Sequence, residues 1–147
     1  MNITIRNIKE SDFEQLLNLF QEFALFEQLP GKMINSLEKM KEEKAFFHGF
    51  VAETTGDKII GYASYFFCYY TWVGKALYLD DLYIRPGYRG KGVGTDLIRR
   101  VIEKAKDTGC HKVRWQVSKW NTPAIDFYKK IGAEINDIDQ NCDLYCH

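Results

Sequence analysis

The sequence predicts an α/β (α+β) fold: a mixed central β-sheet flanked by helices on both faces. Three observations predict it. Strand-like runs at 46–54, 58–70 and 75–84 follow one another with short turns, which calls for antiparallel pairing. An amphipathic helical pattern then separates the third run from another at 112–117, the arrangement of a parallel pair with a crossover helix. The chain has 147 residues, 46% of them hydrophobic, with no linker, repeat or low-complexity run, which suits one domain over 1–147 with one sizeable core.

Each element has its own signal. Residues 2–8 (NITIRNI) alternate and read as a strand. Ser11 and Glu14 form an S-x-x-E capping box. Phe13, Leu16, Leu17, Phe20, Phe23, Ala24 and Phe26 follow near helical spacing, and Pro30-Gly31 stops that helix. A second, short helix is expected over 34–44. The strands at 46–54 and 58–70 turn at Thr55, Gly56 and Asp57. KALYLDDLYI, 75–84, is a third, longer strand. Over 94–109, Leu97, Ile98, Val101, Ile102 and Ala105 make one helix face, and Gly109 stands where a C-terminal glycine cap belongs. KVRWQV, 112–117, is a strand. Thr122 is placed to cap, and Pro123 to start, a helix through Ile131 that Gly132 ends. DLYCH, 143–147, is a candidate last strand.

Composition excludes some functions. Formal net charge is zero and the pI is about 6.8, so a chain-wide basic field for nucleic acid is absent. Charge is nonetheless uneven. Arg85 to Lys106 carries seven Lys/Arg against two acids, whereas 132–147 carries Glu134, Asp137, Asp139 and Asp143 with no Lys or Arg. That asymmetry suits an anionic ligand in one place and a cationic one in another, and an ordinary solvated surface gives it equally well. No basic-then-apolar signal opens the chain. The longest weakly charged run, 59–74, is shorter than the ~18–20 apolar residues of a membrane helix and is glycine-broken, so no membrane partner is expected. Cys68, Cys110, Cys142 and Cys146 contain no CxxC pair and read as reduced thiols of a cytoplasmic protein. Cys142, Cys146 and His147 lack a second cluster to complete a zinc site, so no metal is expected.

The chemistry concentrates in RGKGVGT, Arg89 to Thr95. Gly90, Gly92 and Gly94 lack Cβ and let a ligand approach the backbone. The run leads into a helix, whose first N–H groups favour an anion, and Arg89 and Lys91 add charge. A pyrophosphate is the natural occupant. A Walker loop fails, because Val93 follows Gly92 where lysine is required, and the spacing G-x-G-x-G is not the dinucleotide G-x-G-x-x-G.

The spacing fits the R/Q-x-x-G-x-G/A loop, and here the sequence resembles the GNAT N-acetyltransferase superfamily. VSKWNTPAIDFYKKIGA, Val117 to Ala133, is similar to its closing segment: a strand, N-x-x-A, then F-Y-x-x-x-G. Trp72-Val73-Gly74-Lys75 and LYLDDLYI resemble the spermidine/spermine acetyltransferase branch, which includes relatives acting on other small amines. The resemblance implies acetyl-coenzyme A lying between two splayed parallel strands, those of Leu82 and Val117. It implies that the backbone of Leu82, Tyr83 and Ile84 pairs with the pantetheine arm. Arg89, Gly90, Lys91, Gly92, Val93, Gly94 and Thr95 would hold the pyrophosphate, and Asn121, Thr122, Pro123 and Ala124 would also touch the coenzyme.

Tyr128 matches the family's general acid. From periodicity alone it reads first as a core tyrosine sharing a helix face with Ala124 and Ile131; the motif match reverses that order. In the implied reaction an amine attacks the thioester, and a phenol near the sulfur protonates the leaving thiolate. The amine must first lose a proton, since its pKa lies near 10. Asp80 matches a family proton acceptor, and Asp81 and Glu27 match acids of the amine pocket. Neighbouring strand residues face opposite sides, so Asp80 and Asp81 share one site only if a bulge intervenes. Trp72, Val117, Ser118 and Lys119 complete the implied acceptor side.

Three departures bear on the acceptor. Where the polyamine enzymes carry acids, this chain has Tyr70 and Lys119, and near the C-terminus their acid and tryptophan align with Gln140 and Cys142. A long polycation needs several spaced carboxylates, so a shorter amine, or a lysine-like amino acid whose carboxylate meets Lys119, is expected. Diamines stay open. The alternatives are a non-catalytic acetyl-coenzyme A sensor and a protein or peptide acetyltransferase. The branch resemblance also implies a homodimer.

Overall fold

The computed structural model describes residues 2–146. They fall into two compact units, Met1–Trp115 and Gln116–His147. The first holds β1 (Ile3–Asn7), α1 (Phe13–Phe26), α2 (Leu37–Glu42), β2 (His48–Thr54), β3 (Lys58–Tyr70), β4 (Gly74–Ile84), α3 (Val93–Asp107) and β5 (Val113–Arg114). The second holds α4 (Thr122–Lys130). The sheet runs β1-β2-β3-β4-β5. Its first four strands are antiparallel and β5 lies parallel to β4, as the turn and crossover lengths require.

The sheet is covered on both faces within the first unit. β3 is buried continuously from Ile59 to Tyr65, a pattern that a sheet with one wet face would not produce. On one face Phe13, Leu16 and Leu19 of α1 and Met40 of α2 pack with Val51, Ile59, Tyr62 and Tyr83. Phe50, next to Val51, points the other way and lies 4.8 Å from the guanidinium of Arg100 on α3. α3 covers that face with Val93, Leu97, Ile98, Val101 and Ala105, all buried.

Several boundaries differ from the sequence reading. Asp12, not Ser11, stands at the N-cap position of α1, and its side chain makes no cap hydrogen bond to the helix. Its carboxylate accepts the Lys9 backbone N–H at 2.7 Å and both Arg6 guanidinium nitrogens at 2.8 Å, while Arg6 also reaches Glu53 at 2.7 Å. With these three donors the Asp12 carboxylate ties the end of β1 to the start of α1. α2 starts only at Leu37, because Ser36 Oγ accepts from the Lys39 N–H at 3.1 Å. A 3-10 turn at Lys44–Phe46 delays β2 to His48. The strand expected over 112–117 is only Val113–Arg114, since its ladder to β4 has two rungs. At α4 the cap is Asn121, whose Oδ1 accepts the Ala124 N–H at 3.4 Å; Thr122 is the first helical residue. Residues 143–146 form no strand, and His147 of that expected strand lies outside the described residues.

Candidate active site

The acidic half of the site depends on one irregularity in β4. The β3–β4 register runs Tyr65 to Leu79 and then Ser64 to Asp81, so Asp80 and Asp81 together oppose Ser64. That is a β-bulge, the condition under which two adjacent side chains leave the strand on one side. Asp81 then lies on the face of Tyr62 and Tyr83, under α1, where Phe20 and Phe23 contact those tyrosine rings at 5.2 and 5.1 Å.

Tyr62 is fully buried and its hydroxyl donates to Asp81 Oδ2 at 2.9 Å. Burial pushes the Asp81 carboxyl up, and repulsion from Asp80 and Glu27 pushes it further; the Tyr62 hydrogen bond pulls it back, leaving it at about 7. Asp80 is open to solvent on one side, yet the protein around it still raises its carboxyl by desolvation. Tyr62 itself is driven well above the usual phenol range, first by burial and then by Asp81. Glu27, at the C-terminal cap of α1, belongs to the same field. A carboxyl at about 7 is a proton acceptor matched to neutral pH, whereas an ordinary aspartate near 4 is too weak a base. Sequence reasoning passes over Tyr62. In YASYFFCYY it is one of several strand aromatics, and only the partner across the bulge distinguishes it.

The glycine half has a backbone that only glycine adopts without strain. Gly90 and Gly92 have φ of +76° and +83°, a region that a Cβ disfavours. A methyl added at either meets no protein atom within 4 Å. Gly92 is the N-cap of the 15-residue α3 and supplies no side-chain acceptor to the first helical N–H groups. These donors, with Arg89 and Lys91 adjacent in sequence, fit a pyrophosphate. β4 pairs with β5 only at Leu77 and Tyr78, so among the described residues no strand flanks its outer edge from Leu79 to Ile84. That edge holds Leu82, Tyr83 and Ile84, the backbone expected to meet the pantetheine arm.

Not every basic residue of this region is open to a ligand. Arg85 is paired with Glu22 at 2.9 Å, and Arg100 donates to the Ile5 carbonyl at 3.2 Å. Arg89 donates through Nε to the Ile84 carbonyl at 2.7 Å, with its guanidinium over the rings of Phe26 and Tyr83 at 4.8 and 5.4 Å. The Tyr83 side chain stacks on Phe23 and bonds Glu22, so only its backbone faces the edge role.

The remaining expected residues are placed as follows. Trp72 is 96% exposed in the turn between β3 and β4. From Gly74 beside that turn to Asp81 is about 23 Å of strand, so the first unit does not bring Trp72 to the acids. In the second unit, Val117 and Ser118 are half-buried in non-strand backbone and Lys119 is exposed. Asn121 is committed to capping Ala124, Thr122 and Pro123 form the first turn of α4, and Tyr128 is half-buried further along that helix, ring to ring with Phe127 at 5.5 Å. Among the described residues no group of three or more His, Cys, Asp or Glu is placed to hold a metal ion. Among the described residues no helix is long and apolar enough to cross a membrane.

Comparison with known proteins gives four findings. The acetyltransferase (GNAT) family pattern matches residues 13–133. The chain is 38% identical to a thialysine N-epsilon-acetyltransferase of Sus scrofa, over 90% of this chain and 84% of the relative. It is 30% identical to a human spermidine/spermine N(1)-acetyltransferase-like protein 1, over 88% of this chain and 20% of that longer one. Among solved structures it superposes, with a TM-score of 0.82 and 22% identity over 97% of both chains, on an aminoglycoside acetyltransferase from an uncultured soil metagenomic sample. At that identity the last likeness speaks for the fold.

Proposed function

Because the chain belongs to the acetyltransferase (GNAT) family, in its spermidine/spermine acetyltransferase-like branch, we propose that it moves an acetyl group from acetyl-coenzyme A to a primary amine of a small molecule. The acceptor class is a diamine, a polyamine or a lysine-like amino acid. The observation that carries this reading is the bulge at Asp80–Asp81 in β4, with the charges of Asp80 and Glu27 both acting on Asp81. Three acids attract a cationic amine, and a carboxyl near neutrality takes its proton.

Acetyl-coenzyme A supplies the activated acetyl group as a thioester. Gly90 to Thr95 and the start of α3 hold its anionic part, and the backbone of Leu82 to Ile84 orients its arm. The Asp80–Asp81 pair receives the amine proton; within it Asp81, half-buried and hydrogen-bonded, is the better base than Asp80, which the sequence reading favours. Tyr128 delivers a proton from its phenol to the departing sulfur. Lys119 is the acceptor-side cation that an amino-acid carboxylate would meet, which accords with a relative named for the ε-nitrogen of thialysine. The reading also includes a single domain over 1–147, a cytoplasmic setting, for which the four cysteines are free, and a homodimer. Phe66, Tyr69, Trp72 and Val73, exposed along the β3–β4 hairpin, support the dimer, and light scattering at the 17.2 kDa monomer mass would remove it.

The test is release of free thiol from acetyl-coenzyme A against a panel of diamines, polyamines, lysine analogues and aminoglycosides. Turnover is expected with a short diamine or a lysine-like amino acid, and weaker turnover with spermine. Coenzyme binding by calorimetry, without thiol release on any amine, would instead make the chain a sensor.

A further inference from the structure

We infer that Tyr62 is a positioning residue for the proton acceptor: its buried hydroxyl fixes the Asp81 carboxylate and keeps it ionised enough to work near neutral pH. The inference rests on the reading of Asp81 as acceptor and adds to it a residue no catalytic motif contains.

The geometry carries it. Tyr62 is 0% exposed, and its ring is held edge-on by Phe20 at 5.2 Å and beside Tyr83 at 6.4 Å. A phenol so placed has one direction for its hydroxyl, and that direction meets Asp81 Oδ2 at 2.9 Å. The register Tyr62 to Tyr83 and Ser64 to Asp81 is regular, so Asp81 shares the Tyr62 face by strand alternation, and the bulge that adds Asp80 lies immediately beside the contact.

The charged and titratable groups acting on Asp81 come from three elements: Asp80 on its own strand, Tyr62 on β3 and Glu27 at the end of α1. Burial and both carboxylates favour the protonated acid; the Tyr62 hydrogen bond favours the carboxylate. Removing the hydroxyl therefore leaves only forces that protonate Asp81. Phenylalanine fills the same space, so Tyr62→Phe isolates the hydrogen bond from the packing.

The experiment has two readouts. In the unliganded protein, the side-chain carboxyl of Asp81 is titrated by carbon-13 NMR, with and without Tyr62→Phe. The midpoint should rise by about one pH unit, the usual scale for losing a hydrogen bond to a charged group. In turnover, the ratio of variant to wild-type kcat/KM should fall about five-fold at pH 7 and return toward one by pH 9, because the acid is then ionised in both. In an Asp81→Asn background the same change should leave the ratio flat with pH. An unmoved carboxyl midpoint, or a loss of rate equal at every pH, overturns the inference, since a merely structural tyrosine behaves that way. If no amine is acetylated but the midpoint still moves, the Tyr62–Asp81 link stands and the proposed reaction fails.

Discussion

Tyr128 sits half-buried on a helix none of whose residues is buried, and Ile131, which would share its face in a core, is 39% exposed. Core packing therefore does not single out this position, and the general-acid role proposed for Tyr128 rests on the family spacing around it. A phenol acting as general acid contributes on the scale of ~10²-fold or more. Tyr128→Phe should lower kcat by that much, with the affinity for acetyl-coenzyme A and the thermal midpoint little changed; steady-state kinetics and thermal unfolding check both. A rate unchanged across pH would take Tyr128 out of the mechanism. At this scale the sequence exposes identities better than states. The family spacing points to Tyr128, Asp80 and Asp81 as residues. That Asp81 rests near 7 depends on burial and on Asp80, which raise it, and on Tyr62, a partner distant in the chain that pulls it back and that no local pattern links to it.

Elements show the same division. The strand order, the parallel β4–β5 pair and the α3 face follow from periodicity and turn chemistry, which are local. The bulge at Asp80 does not, because it is set by how β3 and β4 register across their whole length. The tie between Asp12 and Arg6 escapes for a similar reason: Arg6 sits on β1 and is held across the sheet by Glu53. The glycine loop was legible because its requirement is backbone conformation. Gly92→Ala tests that requirement. Its φ of +83° costs an alanine ~1–2 kcal/mol, and the new methyl touches no protein atom within 4 Å. Folding should lose about that much in chemical denaturation. Calorimetric affinity for coenzyme A should fall by more than about thirty-fold, beyond what a ~1–2 kcal/mol backbone strain explains by itself. Equal losses in both would mean the loop bears strain but does not hold the ligand.

At the scale of the molecule, two carboxyls, Asp12 buried and Asp81 half-buried, set opposing slopes in stability against pH. Burial would raise Asp12, but the Arg6 guanidinium and the Lys9 N–H overcome it and hold the carboxyl below its ordinary 3.8. Its contribution is present above that ordinary value and is lost as pH falls through the lower, folded one. Asp81 has the reverse sign. Its folded value, about 7, lies above its ordinary 3.8, so the native state prefers the protonated acid. That preference is fully present below about 4 and is lost as pH rises through 7, when the half-buried group must ionise beside Asp80. A rise from 3.8 to about 7 corresponds to at most ~4 kcal/mol at full ionisation, and partial access of water lowers it toward ~2. Asp81→Asn removes the charge while leaving an oxygen for the Tyr62 hydroxyl. The variant should be more stable than the wild type at pH 8, by roughly 2–4 kcal/mol in urea unfolding, with the gap closing by pH 4. It should also lose most of its acetyl transfer, the trade expected where a site is kept reactive at the cost of stability. Coincident denaturation curves for the two proteins from pH 4 to pH 8 would show that Asp81 ionises without penalty, and with that the physical case for it as the neutral-pH base would fall.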